Sequence, residues 1–535
     1  MTGGAGALKM WIAGGAGAGA WQELAREAGI PLLRSLADAG PNDCVIVGGA
    51  PAGGWRAAGY PVGSVEAASG SGDKSGGLTQ QERAGYPVRS GAVGRAVQSA
   101  ESVQAKQSEQ SEKLPLLPVS PWLMNAAASE VAALSDQELE RRLRREGVSA
   151  RIGEQGGMKL TTAVWGFGAL EMRRAAVGEG AIRGTNRMRS AAGQSAISDE
   201  HALWKPAQKL AVRAVYALGL DFGQVELRVS DQGRLAVTAV DSRLRLQTPE
   251  GRRRWREAAK AFAAEWAAET ASDASVRTLL GADPEFVLVS SAGRVVPASR
   301  YFPYEGEAGC DSMRVRGEKI WPLVELRPRP CPEPAQLTAE LHALLREAAG
   351  RTAGVELSWR AGALPVRGVP LGGHVHVSGA ALHGERLRAL DNAVALPLRL
   401  LEPPGAGSRR PRYGALGDVR RQPHGGFEYR TPPSWLVSPR LALGVFALAK
   451  TAVEHARELA ACGRPLDEER AREAFYSGDR RTLLAAAGRV RRALAGTAGY
   501  KAYREAIDFV FDAIERGRSW NENADIRAKW RIPVR

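Results

Sequence analysis

Gly372-Gly373-His374-Val375-His376-Val377-Ser378 is the stretch from which the rest of the chain is read. β-Branched and polar residues alternate in it at period two, which predicts a strand. Residues i and i+2 of a strand share a face, so both imidazoles point one way and both valines the other. The two glycines ahead of them allow backbone or ligand to approach closely.

Three other segments carry the same pattern. Asp283-Pro284-Glu285 opens the apolar run Phe286-Val287-Leu288-Val289, and Glu325-Leu326-Arg327 closes Trp321-Pro322-Leu323-Val324. Glu428-Tyr429-Arg430 follows Gly425-Gly426-Phe427. Each places two ionisable groups on one strand face. Together the segments predict a sheet with one apolar face and one face of acids, histidines and arginines. Charged groups are seldom buried unless paired or metal-bound, so such a face suits metal ions and an anionic substrate.

At 535 residues the chain is long enough for two or three domains, and its 44% apolar content is ample for a core. The net charge of +15 comes from an arginine-rich composition spread along the chain. Without a compact basic run interleaved with aromatics, nucleic-acid binding is not expected, and the charge favours small acidic partners. Cys44, Cys310, Cys331 and Cys462 are too scattered for a zinc ribbon or a disulfide framework, which fits a reducing, cytoplasmic setting. No run has the length of a membrane span, and the small-residue stretch Trp11 to Ala20 lacks the leucine-rich core of a signal peptide.

Residues 1–61 read as a small α/β segment: a strand at Leu8 to Ile12, a glycine run at 14–19, a helix from Trp21 to Leu36 and a strand at Cys44 to Val47. Residues 62–115 are rich in Gly, Ser, Gln and Lys and read as a linker; Ala-Gly-Tyr-Pro-Val occurs at 58–62 and 84–88. Removal of 1–115 is expected to leave ATP turnover in place, provided that the remaining protein folds. Beyond, Ser135-Asp136-Gln137-Glu138 has the form of a capping box, with the helix stopping before Gly147. A helix over Ala207 to Leu218 leads into strands at Val225 to Val229 and Leu235 to Asp241, and a basic amphipathic helix covers 250–270. The helix and hairpin of 207–241 resemble the C-terminal end of the ATP-grasp fold. That resemblance places Glu226 and Asp241 where acids hold magnesium, but Ser242-Arg243-Leu244 stands in place of the following Asn and Pro-Gly. Residues 116–270 are therefore read as a degenerate ATP-grasp-like region that no longer binds nucleotide.

From Gly281 onward the motifs are Asp283-Pro284-Glu285-Phe286, Gly309-Cys310-Asp311, Glu325-Leu326-Arg327-Pro328, Gly372-Gly373-His374-Val375-His376, Arg412-Tyr413-Gly414, Gly417-Asp418-Val419-Arg420, Phe427-Glu428-Tyr429-Arg430 and Pro433-Ser434-Trp435-Leu436. In this order, over about 281–460, they resemble the phage-associated carboxylate–amine ligases, the type 2 amidoligase family related to glutamate–cysteine ligase and glutamine synthetase. The tail from Ser519-Trp520-Asn521-Glu522 to Trp530 is similar to that family's C-terminal end.

The resemblance implies an α+β chain. A glutamine-synthetase-like curved antiparallel sheet with packed helices fills 271–535, preceded by the degenerate α/β ATP-grasp-like region. It implies an ATP- and Mg2+-dependent ligase, with Mn2+ as a possible substitute, joining a small-molecule or peptide carboxylate to an amine through an acyl phosphate. By motif position Glu285, Asp311, Glu325, one of His374 and His376, and Glu428 become metal ligands. Glu285 and His376 also lie at the nucleotide, and Arg327 and Arg430 face phosphate or substrate carboxylate. Two departures bear on Asp311: Ser312 follows it where glycine is expected, and 314–319 is read as an extra hairpin tip.

The residue types suit that chemistry on their own terms. Magnesium prefers carboxylate oxygens and offsets charge in phosphoryl transfer. Arginine grips carboxylate or phosphate with a bidentate fork. The basic loop Gly405 to Arg412 is read as a flap that brings Arg410 and Arg412 over phosphates. His342, His455, His201 and His424 are read as structural or surface residues. Ser438-Pro439 begins a helix packed behind the sheet. Two alternatives stand beside the ligase: a zinc hydrolase built on the His-x-His pair, and a non-catalytic ATP- or peptide-binding protein. A guanidino kinase would share the related fold.

Overall fold

The computed structural model describes residues 5–12, 18–48, 121–175, 194–271, 278–423, 425–461 and 464–534. The linker reading of 62–115 and His424 lie outside them. Strand β1 (Leu8–Ile12), helix α1 (Ala18–Ala28), β2 (Leu32–Leu33), β3 (Cys44–Gly48) and β4 (Trp122–Met124) form a parallel sheet of order β2-β1-β3-β4 packed on the helix. The helix expected to reach Leu36 stops at Ala28: Gly29 turns left-handed at φ +69°, and Pro31 cannot donate to a continued ladder.

The boundary drawn between 1–61 and 116–270 does not describe the packing. Trp122–Met124 completes the N-terminal sheet. Met10, Trp21 and Ile46 share one core with Trp165, Phe222, Trp255 and Trp266. Deleting 1–115 would strip three strands from the N-terminal sheet and open that core, so the folding on which the expected turnover depends is put at risk.

Helix α2 (Asp136–Arg145) is capped by Ser135, whose hydroxyl accepts from Glu138 N at 3.2 Å. The return arm of the expected box is replaced, since Glu138 pairs with Arg141 and Arg142. Strands β5 (Met158–Trp165), β6 (Gly168–Ala175) and β7 (Gln194–Ala196), helix α3 (Trp204–Ala217), and strands β8 (Phe222–Val229) and β9 (Leu235–Asp241) follow. They form an antiparallel sheet of order β7-β6-β5-β8-β9 with α3 against it. Helix α4 (Pro249–Thr270) leads out, with Thr248 as its N-cap and Pro249 at its first turn.

The third sheet is antiparallel. Strands β10 (Leu279–Ser290), β11 (Val295–Val296), β12 (Ala308–Val315) and β13 (Glu318–Leu326), helix α5 (Pro334–Arg351), and strands β14 (Leu357–Arg360), β15 (Gly373–Ser378), β16 (Val419–Arg421) and β17 (Phe427–Tyr429) supply it. Its order is β12-β13-β10-β15-β17-β16, with β11 and β14 also on β10. Phe286, Val324, Val375, Val377, Phe427 and Tyr429 make up its apolar face. Behind that face lie α5, α6 (Pro439–Glu454), α7 (Arg480–Ala495) and α8 (Ala498–Glu515). Ser438 caps α6 through Leu441 N at 3.2 Å, as its Ser-Pro start predicts. The expected hairpin tip is present: Arg316 and Gly317, with φ of 51° and 91°, join β12 to β13 in a two-residue turn. No helix among the described residues is long and apolar enough to cross a membrane.

Candidate active site on the sheet face

Register brings the ionisable residues together. Asp283 pairs with His374 and Gly281 with His376 across β10 and β15. Glu285 pairs with Glu325 across β10 and β13, and His376 with Glu428 across β15 and β17. Strand alternation then sets these side chains on the face opposite Val375 and Tyr429. A register shift between Asp311 and Met313 interrupts β12 immediately after the acid, the position left insecure by Ser312. A bulge re-aims a strand locally, and Asp311 joins Glu285 and Glu325. Gly372 leaves room for the imidazole, since a Cβ there would lie 2.5 Å from His374 Nε2 and displace the ring, and Gly373 packs on backbone, where a Cβ would overlap Pro433 O.

Two groups of potential ligand atoms result. Asp283, His376 and Glu428 form one, and Glu285, Asp311 and Glu325 the other, with the atoms of each group within 4.8 Å of one another. His374 stands between Asp283 and Glu428, its Nδ1 3.0 Å from the first and 3.2 Å from the second. His376 Nε2 is 3.2 Å from Asp283. Glu428 is fully buried, yet its Oε1, like Asp283 Oδ1, His374 Nδ1 and His376 Nε2, completes no hydrogen bond. Buried polar atoms are normally satisfied; these lie 3.0–3.2 Å from ionisable neighbours without hydrogen-bond alignment, which leaves them open to a further partner.

Electrostatics divides the acids. Burial works to raise the Asp283 carboxyl, but His374 and His376 outweigh it and hold the group below its ordinary range. Burial likewise opposes charge on His374, while Asp283 and Glu285 push it up to about 9. Burial raises Glu285 to about 7 despite His374 and the Gly372 N–H, which donates to it at 2.7 Å. Burial, with the charge of Asp283 added, raises Glu325 to about 8. Crowded, desolvated carboxylates of this kind are stabilised as anions by a nearby cation.

Arginines border both groups. Arg327 pairs with Glu325, and its Nη1 donates to Gly306 O at 2.9 Å. Arg430 Nε lies 3.3 Å from Glu428. Arg420 and Gln422 donate to Glu428 Oε2 at 2.6 and 2.9 Å. These last two contacts escaped the sequence reading, although β16 and β17 flank a Gly425-Gly426 turn and alternation puts Arg420 opposite Glu428.

The flap read from Gly405 to Arg412 is corrected. Pro404–Arg409 is a short 3-10 helix. Arg410 is buried in a two-pronged pair with Glu402, at 2.6 Å for Nη1, and over the Phe475 ring at 4.8 Å. A buried carboxylate demands that partner, so Arg410 does not face phosphate. Arg412 is exposed over the Tyr413 ring and shares no ion pair with the acids among the described residues. The overlooked residue is Arg409. It is buried, its Nε and Nη1 have no hydrogen-bond partner, and burial with the like charge of Arg410 lowers it to about 10 against the charges of Glu402, Glu285 and Glu522. Position 409 within an Arg-Arg pair gave no signal of which arginine turns inward.

Glu226 is paired with Lys159 at 2.5 Å, and Asp241 with Arg243 at 2.8 Å and Arg245 at 3.5 Å. The acids placed by the ATP-grasp resemblance are thus occupied by cations. His455 Nε2 accepts from Gly499 N at 3.0 Å, His201 Nδ1 accepts from Leu203 N at 3.1 Å, and His342 lies beside the Trp530 ring, all structural roles.

Residues 280–532 match the family model described as phage phiEco32-like COOH.NH2 ligase-type 2. No curated protein matches the chain. Among solved structures, similarity is found to the ATP-grasp ligase PsnB complexed with a minimal precursor, at 15% identity, over 20% of this chain and 35% of that one, with a TM-score of 0.14. A novel glutamine synthase homolog is similar at 16% identity, over 44% and 70% of the two chains, with a TM-score of 0.21. GmaS without ligand is similar at 14% identity, over 45% and 70%, with a TM-score of 0.24. The chain thus spans about a third of the ATP-grasp ligase's length. Residues 280–532, just under half of this chain, are thus similar to the phage phiEco32-like COOH.NH2 ligase type 2 family.

Proposed function

We propose that the chain is an ATP-dependent ligase that joins a carboxylate to an amine on the acid face of the third sheet. The observation that carries this reading is the pair of ligand groups, Asp283/His376/Glu428 and Glu285/Asp311/Glu325, side by side on strands with arginines at their border. Their donors are mostly carboxylate oxygens, which suit a hard ion such as magnesium, with manganese as a substitute. A zinc hydrolase would want nitrogen or sulfur ligands, and each group holds at most one histidine. The buried atoms without hydrogen bonds fit a cation at the Asp283/His376/Glu428 group, and the crowding of Glu285, Asp311 and Glu325 suits a second. When bound, such ions supply positive charge along the phosphates of ATP.

The chain's own residues do the rest. Arg430 and Arg327 orient phosphate and substrate carboxylate through their forks. Arg409 presents its unsatisfied N–H groups from a buried position, where a charge–charge contact is stronger than in water. Arg420 and Gln422 fix the Glu428 carboxylate. The substrate carboxylate attacks the terminal phosphorus and ADP leaves. The amine then attacks the acyl carbon, and phosphate and a proton are released as the amide forms.

The test is ADP release from the full chain with ATP, magnesium and a pool of amino acids and peptides, with mass spectrometry of the product. A condensed product formed with one ADP is expected. Calorimetry with and without chelator checks the metal; equal ATP affinity in both overturns the metal assignment.

A further inference from the structure

We propose that the cleft between α3 and the outer face of β16 is a second ligand site, made for a small organic anion with an apolar or aromatic body. The cleft holds about 250 Å³, just under the ~300 Å³ at which drug-sized sites begin, so its occupant is small. Phe167, Val212, Leu416 and Val419 give it apolar walls.

Its charge is one-sided. Lys209, Arg213 and Arg421 all line it, and none of the three shares an ion pair with a carboxylate among the described residues. Of the two lining acids, Glu146 is already taken by Arg472 at 2.6 Å and by the Tyr476 hydroxyl at 2.6 Å. That leaves Asp418 as the lining carboxylate still open against three cations, with Glu265 acting on Arg421 from outside the lining and Arg213 donating to Glu146 O at 2.8 Å. A small space with apolar walls and an excess of positive charge among the described residues favours a carboxylate or phosphate carried on a hydrocarbon or aromatic group.

The cleft does not belong to the acid face. Val419 and Arg421 line it, while Arg420 between them reaches the other side of the strand to hold Glu428. Yet the two are joined through the same hairpin. Asp418 O accepts from Arg430 N at 2.8 Å. Tyr216 on α3 donates to Asp391 at 2.8 Å, and Tyr429, next to Glu428, donates to the same carboxylate at 2.7 Å. An occupant of the cleft therefore bears on the strand pair that presents Glu428 and Arg430. The binding site stands without the proposed ligase activity; only its influence on turnover rests on that reading.

The experiment is calorimetric titration of the full chain with 4-phenylbutyrate and with phenyl phosphate, beside neutral benzyl alcohol. Saturable one-site binding of one or both anions, absent for the alcohol, is expected; which anion binds more tightly separates carboxylate from phosphate. Val212→Trp fills the cleft without touching the acid face and is expected to abolish binding while leaving calorimetric ATP affinity unchanged. If that variant does not fold, Lys209→Glu with Arg421→Glu is read instead, with a loss of at least about tenfold expected. The proposal is overturned if neither anion binds below about 10 mM. It is also overturned if affinity survives these substitutions, which would assign the binding to another part of the chain.

Discussion

Asp283 and His374 stand opposite each other on β10 and β15, 3.0 Å apart at Oδ1 and Nδ1, and neither atom completes a hydrogen bond. They have the proximity of an ion pair without its directional contact. Substituting Asp283→Asn keeps the shape of the side chain and removes its charge. Affinity for ATP with magnesium is expected to fall at least about tenfold, together with the melting temperature, since the charged carboxylate held by His374 and His376 stabilises the fold at neutral pH. Unchanged calorimetric affinity would remove Asp283 from the site.

Glu428→Gln and Arg430→Lys separate ligand from scaffold. The first keeps hydrogen bonding to Arg420 and Gln422 but loses a full charge; the second keeps charge and loses the fork. Each is expected to lower turnover at least about a hundredfold, equivalent to roughly 3 kcal/mol of transition-state stabilisation. A variant that melts early yet releases ADP at the parent rate per folded molecule would be structural instead.

Neighbouring arginines should respond in opposite ways. Arg410→Met strands the buried Glu402 carboxylate and is expected to cost about 3–5 kcal/mol in urea denaturation. Arg409→Met removes a buried cation with unsatisfied N–H groups, so stability should hold or rise while turnover falls. Equal destabilisation by both would refute the assignment of separate roles.

Acid sensitivity has a defined source away from the sheet face. Burial, with Arg386 adding to it, pulls His383 down from 6.5 to about 4 even though Glu269 stands 3.8 Å away. The folded state thus binds fewer protons than the unfolded state between these values. This contribution to stability is complete above pH 6.5 and is lost as pH falls through about 4. His383→Asn retains an N-cap acceptor for Arg386 N and removes the titration. Its melting temperature should decline less between pH 6.5 and 4 than the parent's; parallel declines would exclude His383 as the source.

What could be read from the chain follows from how local each signal is. His374 and His376 declared their shared face because strand alternation depends only on near neighbours. The strand Leu235–Asp241 was read with its observed ends, since Gly233 and the helix start at Pro249 punctuate it. Pairing was not legible, because nothing in Glu285 itself selects Glu325 as its cross-strand neighbour; the family resemblance implied only that the sheet is antiparallel. Arg409 and Arg410 share composition and context, and only packing distinguishes them. The core joining Met10 to Trp255 was hidden because intervening composition suggested a division that tertiary packing does not observe.

Gly372 and the register of β15 carry one further consequence. Every acid and imidazole of the two ligand groups except Asp311 is on a strand segment whose pairing is regular, with no loop to absorb a change in length. Inserting one residue between Gly373 and His374 would turn both imidazoles toward the helices and both valines toward the acids. Two inserted residues would restore the orientation but carry each histidine one pair farther from its carboxylate. Length variation in this part of the chain is thus confined to the turns beyond Ser378 and before Gly372, while substitution within the strand remains open on the valine side.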